Sequence, residues 1–151
     1  MDAMQIANGI PMWIACGVPV CVVLVQAITF LRKAYQAGDK VGLTKEQMKE
    51  AIQKTVDTFG EVNVACCNAG VCRLAPFEEM SDEMRDFHID VNIKGVWNVC
   101  QSVIPQMLKQ GGGNIVIASS VTGDIVADAG EAAYAMSKAA LVGLTKCLAV
   151  E

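Results

Sequence analysis

The chain has 151 residues, enough for one domain, and carries 16 acidic against 12 basic side chains for a net charge of −4. That balance, with an isoelectric point near 5.0, argues against nucleic acid or an acidic membrane surface as a partner. A mean hydropathy of +0.38 is high for a soluble domain, and the excess sits at the N-terminus.

Ile10 to Leu31 contains no charged residue. At about 1.5 Å per residue it is long enough to cross a hydrocarbon core, for which roughly 20 residues are needed. Trp13 and Phe30 lie near its ends, and Arg32 and Lys33 follow at once. The pattern predicts one transmembrane helix within residues 1–34, with the 32–151 part held on the cytoplasmic side. A secretory signal would place basic residues first and end on a small-residue cleavage site, and neither is present. The competing reading is a buried core helix kinked at Pro19.

Residues 35–50 read as a linker and the start of a helix. Thr44 and Gln47 have capping-box spacing. The helix predicted from Lys45 to Phe59 puts Met48, Ile52, Val56 and Phe59 on one side, and Gly60 stops it. Val62 to Cys67 reads as a buried parallel strand, and Asn68-Ala69-Gly70 turns the chain. Ser81 is placed to cap a helix with Asp82 and Glu83 in its first turn. That helical region runs, with breaks, to about Lys109 and contains Gly95 and Pro105. Gly111 to Gly113 lead into a strand ending at Ser119, and a last helix starts near Glu131. The order is a βαβα unit, which predicts parallel strands and a right-handed crossover. Two parallel strands are too few for an independent sheet.

The last segment holds the chemistry. Tyr134 and Lys138 stand four residues apart on the final helix, and so share one face. The strand Ile115-Val116-Ile117 delivers Ser119 and Ser120 just before them. A lysine beside a phenol favours the phenolate, which pulls a tyrosine down from its reference value near ~10 and lets it exchange protons near neutral pH. The plain alternative is a half-buried aromatic and a solvated lysine. Seven cysteines (Cys16, Cys21, Cys66, Cys67, Cys72, Cys100, Cys147) form no C-x-x-C pair and read as free and buried, with no metal site. His88 reads as an ordinary helix residue, and Asp124, Asp128 and Glu131 as solvated loop residues before Tyr134.

Four segments in register, NAGV at Asn68 to Val71, DVNIKGVWN around Asn92, the strand end at Ser120 and YAMSK at Tyr134 to Lys138, resemble the short-chain dehydrogenase/reductase family. The stretches NAGVCRL, DFHIDVNIKGVWNV and SSVTGDIVAD are similar to its UcpA-type oxidoreductases in particular. The resemblance runs from about Thr55 to Glu151, so residues 51–151 are expected to be a partial domain of a Rossmann-like, doubly wound α/β fold. It implies hydride transfer between NAD or NADP and an alcohol/carbonyl substrate. In that reading Tyr134 is the general acid/base, Lys138 lowers its pKa and bonds the nicotinamide ribose, and Ser120 orients the substrate oxygen. Asn92 holds a relay water, and Asn68, Ala69 and Gly70 lie beside the cofactor. The usual first Asn of the NAG motif is Cys67 here, which bears on local stability more than on chemistry.

The family's T-G-x-x-x-G-x-G turn, which meets a dinucleotide pyrophosphate, does not occur in this sequence. Nor do its later strands, so the chain alone is expected to be inactive or nearly so. The stretches MQIAN, MWIACG and FLRKAYQAGDKVGLTKEQ make residues 1–49 resemble the first transmembrane segment of an uncharacterised bacterial membrane protein family, with a seam between about Lys45 and Thr55. The alternative function is therefore a non-enzymatic, membrane-anchored fusion fragment without cofactor binding. If the N-terminal segment is an artefact, the dehydrogenase part is cytoplasmic. The resemblance also implies a homo-oligomer through the Tyr134 helix, with Ala139 to Val150 as an apolar face.

Overall fold

The computed structural model describes Val22–Val23 and residues 44–151. Three parallel strands, β1 (Val22–Val23), β2 (Val64–Cys67) and β3 (Asn114–Ile117), form one sheet in that order. Val64 to Cys67 pair in register with Asn114 to Ile117, and Val22 and Val23 pair with Val64 and Ala65.

The third strand corrects the transmembrane reading at the residues where the two meet. Val22 and Val23 lie inside the uncharged run yet are extended and paired, as β-branched residues favour. An apolar run can be a buried strand or a helix, and periodicity does not separate the two. The rest of the span from Ile10 to Leu31 lies outside the described residues. Among the described residues, no helix is long and apolar enough to cross a membrane.

Helix α1 (Lys45–Phe59) begins and ends where its sequence signals place it. Gln47 N donates to Thr44 Oγ1 and Thr44 N donates to Gln47 Oε1, closing the capping box, and Gly60 ends the helix with φ 89°. Helix α2 (Asp82–His88) is capped by Ser81, whose hydroxyl accepts from Met84 N. A π turn, Ile89–Lys94, joins it to α3 (Gly95–Gln110). The break in this helical region falls at the π turn, where Gly95 N bonds Asp90 O five residues back; at Pro105 the helix continues. Gly111 caps α3 at φ 92°, and α4 (Ala132–Leu148) is the last helix.

Ala65 and Cys67 alternate inward on β2, beside Ile115 and Ile117 of β3. This one face of the sheet carries the core. Ile52 of α1, Val103 and Met107 of α3, Val62 and Ala65 form one cluster. Cys67, Val96, Cys100 and Leu141 form a second, into which Leu144 and Leu148 of α4 pack. Gln110 clamps the C-terminal end of α3 to the entry of β2: its Oε1 accepts from Val62 N, and its Nε2 donates to Val62 O. On the opposite face Val116 is 55% exposed, so the described residues cover one side of a sheet type that ordinarily has both sides covered.

Candidate active site

The chain leaving β3 meets α4 at Ala118 and Ser119. There Lys138, 5% exposed, donates from Nζ to Ala118 O at 2.7 Å, and Ser119 Oγ donates back to Lys138 O at 2.8 Å. One lysine thus fixes α4 against the end of β3 from its side chain and from its backbone. The ammonium lies 5.7 Å from the centroid of the half-buried Tyr134 ring. Burial pushes Lys138 below the ordinary lysine value, because the charged form has lost solvent. Ser120 follows the anchored Ser119. Its hydroxyl oxygen accepts from Thr122 N, which leaves its own hydrogen free to donate.

Asn92 is fully buried in the π turn. Its Nδ2 donates to Val71 O at 2.9 Å and to Ser137 Oγ at 2.8 Å, and its Oδ1 accepts from Val71 N at 2.8 Å. Ser137 Oγ donates onward to Tyr134 O at 2.7 Å. Asn92 therefore joins the segment after β2 to the helix that bears Tyr134. Its side chain has at most one Oδ1 lone pair left for a water.

Gly70 approaches this group most closely. A Cβ at that position would lie 3.3 Å from Lys138 Nζ and 3.4 Å from Asn92 Oδ1. A second close approach is at Gly123, φ +97°, where a Cβ would clash with the Ala135 carbonyl of α4. It lets the loop after Ser120 lie flat on the helix, closed by Gly123 N bonding Val126 O.

The structure thus gathers Asn92, Gly70, Tyr134 and Lys138 around one point and places Ser120 just past the Ser119–Lys138 tie. Asn68 is exposed and Ala69 half-buried at the end of β2. Three residues to which the sequence reading gave no role in the chemistry also hold this site: Ser119, noted there only as the partner of Ser120, Ser137 and His88. Ser137 had a signal, since it sits between Tyr134 and Lys138 on the same two turns. His88, read as an ordinary helix position, is fully buried with both ring nitrogens bonded.

The cysteine reading needs one correction, since Cys72 and Cys147 are exposed. Cys67 is buried against Cys100, Val96 and Leu141, an apolar and thiol lining into which a thiol fits. A hydrogen bond shared with Cys100, and then burial, push Cys67 up.

A model of the short chain dehydrogenase family matches residues 26–151. The chain belongs to that family. It is 60% identical over 104 residues to the oxidoreductase UcpA of Salmonella typhimurium, covering 69% of this chain and 40% of that protein. Against the 3-oxoacyl-[acyl-carrier-protein] reductase FabG of Thermotoga maritima it is 45% identical over 107 residues, or 71% of this chain and 43% of the relative. Among solved structures, LigO in its apo form from a Sphingobium strain superposes with a TM-score of 0.68 at 32% identity, over 71% of this chain and 40% of that one. The ligand-free aldohexose dehydrogenase of Thermoplasma acidophilum gives 0.66 at 33%, over 71% and 42%. The chain spans about two fifths of the length of the UcpA relatives it matches. The family match begins at residue 26, inside the segment expected to span a membrane and well before Thr55.

Proposed function

We propose that this chain carries the proton-transfer half of an oxidoreductase that moves a hydride between NAD or NADP and an alcohol/carbonyl pair. The observation that carries the reading is the lysine: Lys138 is buried, tied to Ala118 O and set 5.7 Å from the Tyr134 ring. A solvated surface lysine would have none of these features. Burial leaves part of its donor capacity unspent, since one of three ammonium hydrogens goes to Ala118 O.

The residues present fit the nicotinamide end of such a cofactor. Gly70 lacks the Cβ that would crowd Lys138 Nζ, so Asn68, Ala69 and Gly70 can border a ribose while Lys138 donates to it. The cofactor, when bound, supplies or accepts the hydride. The chain's own groups handle the proton. Tyr134 gives its phenolic hydrogen to the substrate oxygen in reduction and takes it back in oxidation, Ser120 donates a hydrogen bond to that oxygen, and Asn92 keeps Tyr134 and the Gly70 turn in register. The exposed Met136 (46%) on α4 and Trp97 (50%) on α3 support pairing with a second copy through the Tyr134 helix.

Fluorescence titration with NADH and NADPH tests the reading, beside Tyr134→Phe and Lys138→Ala. Saturable micromolar binding that Lys138→Ala weakens and Tyr134→Phe spares supports it. No binding up to millimolar cofactor in the unaltered protein overturns it.

A further inference from the structure

The segment leaving the Gly70 turn, Val71 to Ala75, runs along the N-terminal end of α4 outside the regular sheet. Its backbone is nonetheless pinned at alternate residues. Val71 N donates to Asn92 Oδ1 at 2.8 Å, Arg73 N donates to His88 Nε2 at 3.0 Å, and Ala75 N donates to Gly130 O at 3.1 Å. A spacing of two is the period of an extended chain, so the three N–H groups point to one side. The outer pins belong to the site already described: Asn92 is bonded to Ser137, and Gly130 precedes the helix bearing Tyr134. The middle pin is a histidine with no exposed surface.

The geometry fixes its tautomer. His88 Nδ1 lies 2.7 Å from Met84 O, a carbonyl that can only accept, so Nδ1 carries the hydrogen. Nε2 is then the acceptor that Arg73 N requires. The neighbouring Phe87 adds a second hold on the same residue: its ring stands edge-on to the imidazole, and the Arg73 guanidinium sits 4.2 Å over its centroid.

We propose that His88 is a positioning residue for the candidate active site, holding the Val71–Ala75 segment against the Tyr134 helix through the Arg73 backbone N–H. The inference rests on the oxidoreductase reading only for what that segment borders. The two Asn92 bonds fix Val71 alone; a pin two residues on sets the direction of the segment beyond it. With direction set, Gly70 is kept beside Lys138, and Ala75 reaches Gly130.

The chain has one histidine, so in tag-free protein its imidazole nitrogen resonances need no assignment. The expected signature is a single Nδ1–H tautomer with a hydrogen-bonded Nε2; an Nε2–H tautomer or an averaged mixture overturns the proposal. Two variants test the consequence. His88→Phe keeps a ring without nitrogens, and His88→Gln keeps an acceptor within reach of Arg73 N. Losing one such bond should speed amide exchange at Arg73 by about tenfold in His88→Phe and also speed exchange at the Asn92 side-chain amide, while His88→Gln stays near the unaltered protein. Unchanged exchange at Arg73, or loosening at Arg73 that Asn92 does not register, overturns it. Should His88→Phe fail to fold, the tautomer and His88→Gln decide. Absence of NADPH binding in a protein that passes these tests counts against the oxidoreductase reading alone.

Discussion

Replacing Asn92 by Ala tests the central joint of the site. The side chain is fully buried and makes three hydrogen bonds, two to the Val71 backbone and one to Ser137 Oγ. Alanine leaves Val71 N and Val71 O without partners. Ser137 suffers less, because its hydroxyl still donates to Tyr134 O. A fully buried backbone group stripped of its partner costs about 1–3 kcal/mol, so two of them set an upper range of about 2–6 kcal/mol, and Val71 is half-buried. Water entering the vacated volume recovers part of that, which favours the lower half, about 2–4 kcal/mol. Small domains are stable by only about 5–15 kcal/mol, so the loss is a large share. In a urea titration followed by circular dichroism, with a slope of about 2 kcal/mol per molar, the midpoint should fall by roughly 1–2 M. Ser137→Ala is the control, since it spares the Val71 contacts and should cost about 1 kcal/mol. If Asn92→Ala costs no more than this control, Asn92 is not what holds Val71, and the account of the joint is wrong.

Other consequences follow from the same contacts. Burial depresses Lys138, so between its lowered folded value and the ordinary lysine value near ~10.4 the unfolded chain binds a proton that the folded chain has released. Stability should therefore rise with pH in that window, by at most about 1.4 kcal/mol per unit, and Lys138→Met should remove the rise; a wild-type advantage that shrinks as pH increases there refutes it. Gly70→Ala puts a Cβ 3.3 Å from Lys138 Nζ and 3.4 Å from Asn92 Oδ1, side-chain ends that must give only slightly, so unfolding should shift by about 1 kcal/mol while NADPH binding weakens. Equal losses of both would point to a folding defect. Cys72 is exposed but pushed up by desolvation and by Glu131, whose Oε1 lies 3.9 Å from its sulfur. Glu131→Gln should speed iodoacetamide alkylation at Cys72, with Cys67 and Cys100 unlabelled until urea is added; a rate unchanged by Glu131→Gln removes the electrostatic explanation.

Features set by local chemistry were legible in the sequence. The Thr44–Gln47 box and Gly60 bracket α1, Ser81 caps α2, and the spacing of Tyr134 and Lys138 puts them on one face because a helix repeats every ~3.6 residues. Features set by distant partners were not. Val22 and Val23 become a strand because β2 offers them a free edge, and nothing within Ile10–Leu31 says so. His88 gains its role from Arg73, fifteen residues earlier, and Asn92 from Val71 and Ser137, 21 and 45 residues away. The π turn is equally silent in composition: it rotates the helix so that Asn92 faces inward, and no propensity marks an extra residue in a turn.

The way Lys138 is held bears on two properties that a whole oxidoreductase combines. Its Nζ bonds the backbone of β3 while its own carbonyl is bonded by Ser119, and Asn92 and Ser137 tie the same helix to the Gly70 turn. Every one of these contacts lies within residues 65–145, so the geometry around Tyr134 and Lys138 is held by contacts of these residues alone. Binding a dinucleotide asks for something further, a helix N-terminus that presents free N–H groups to a pyrophosphate. Acid–base geometry and cofactor affinity thus share Lys138 and the Gly70 turn, which lie against each other, while a pyrophosphate site would be a separate requirement. Asn92→Ala should therefore disturb both, because Asn92 holds the Gly70 turn as well as the Tyr134 helix, whereas the tautomer of His88 and the pH dependence of stability set by Lys138 report on the geometry alone.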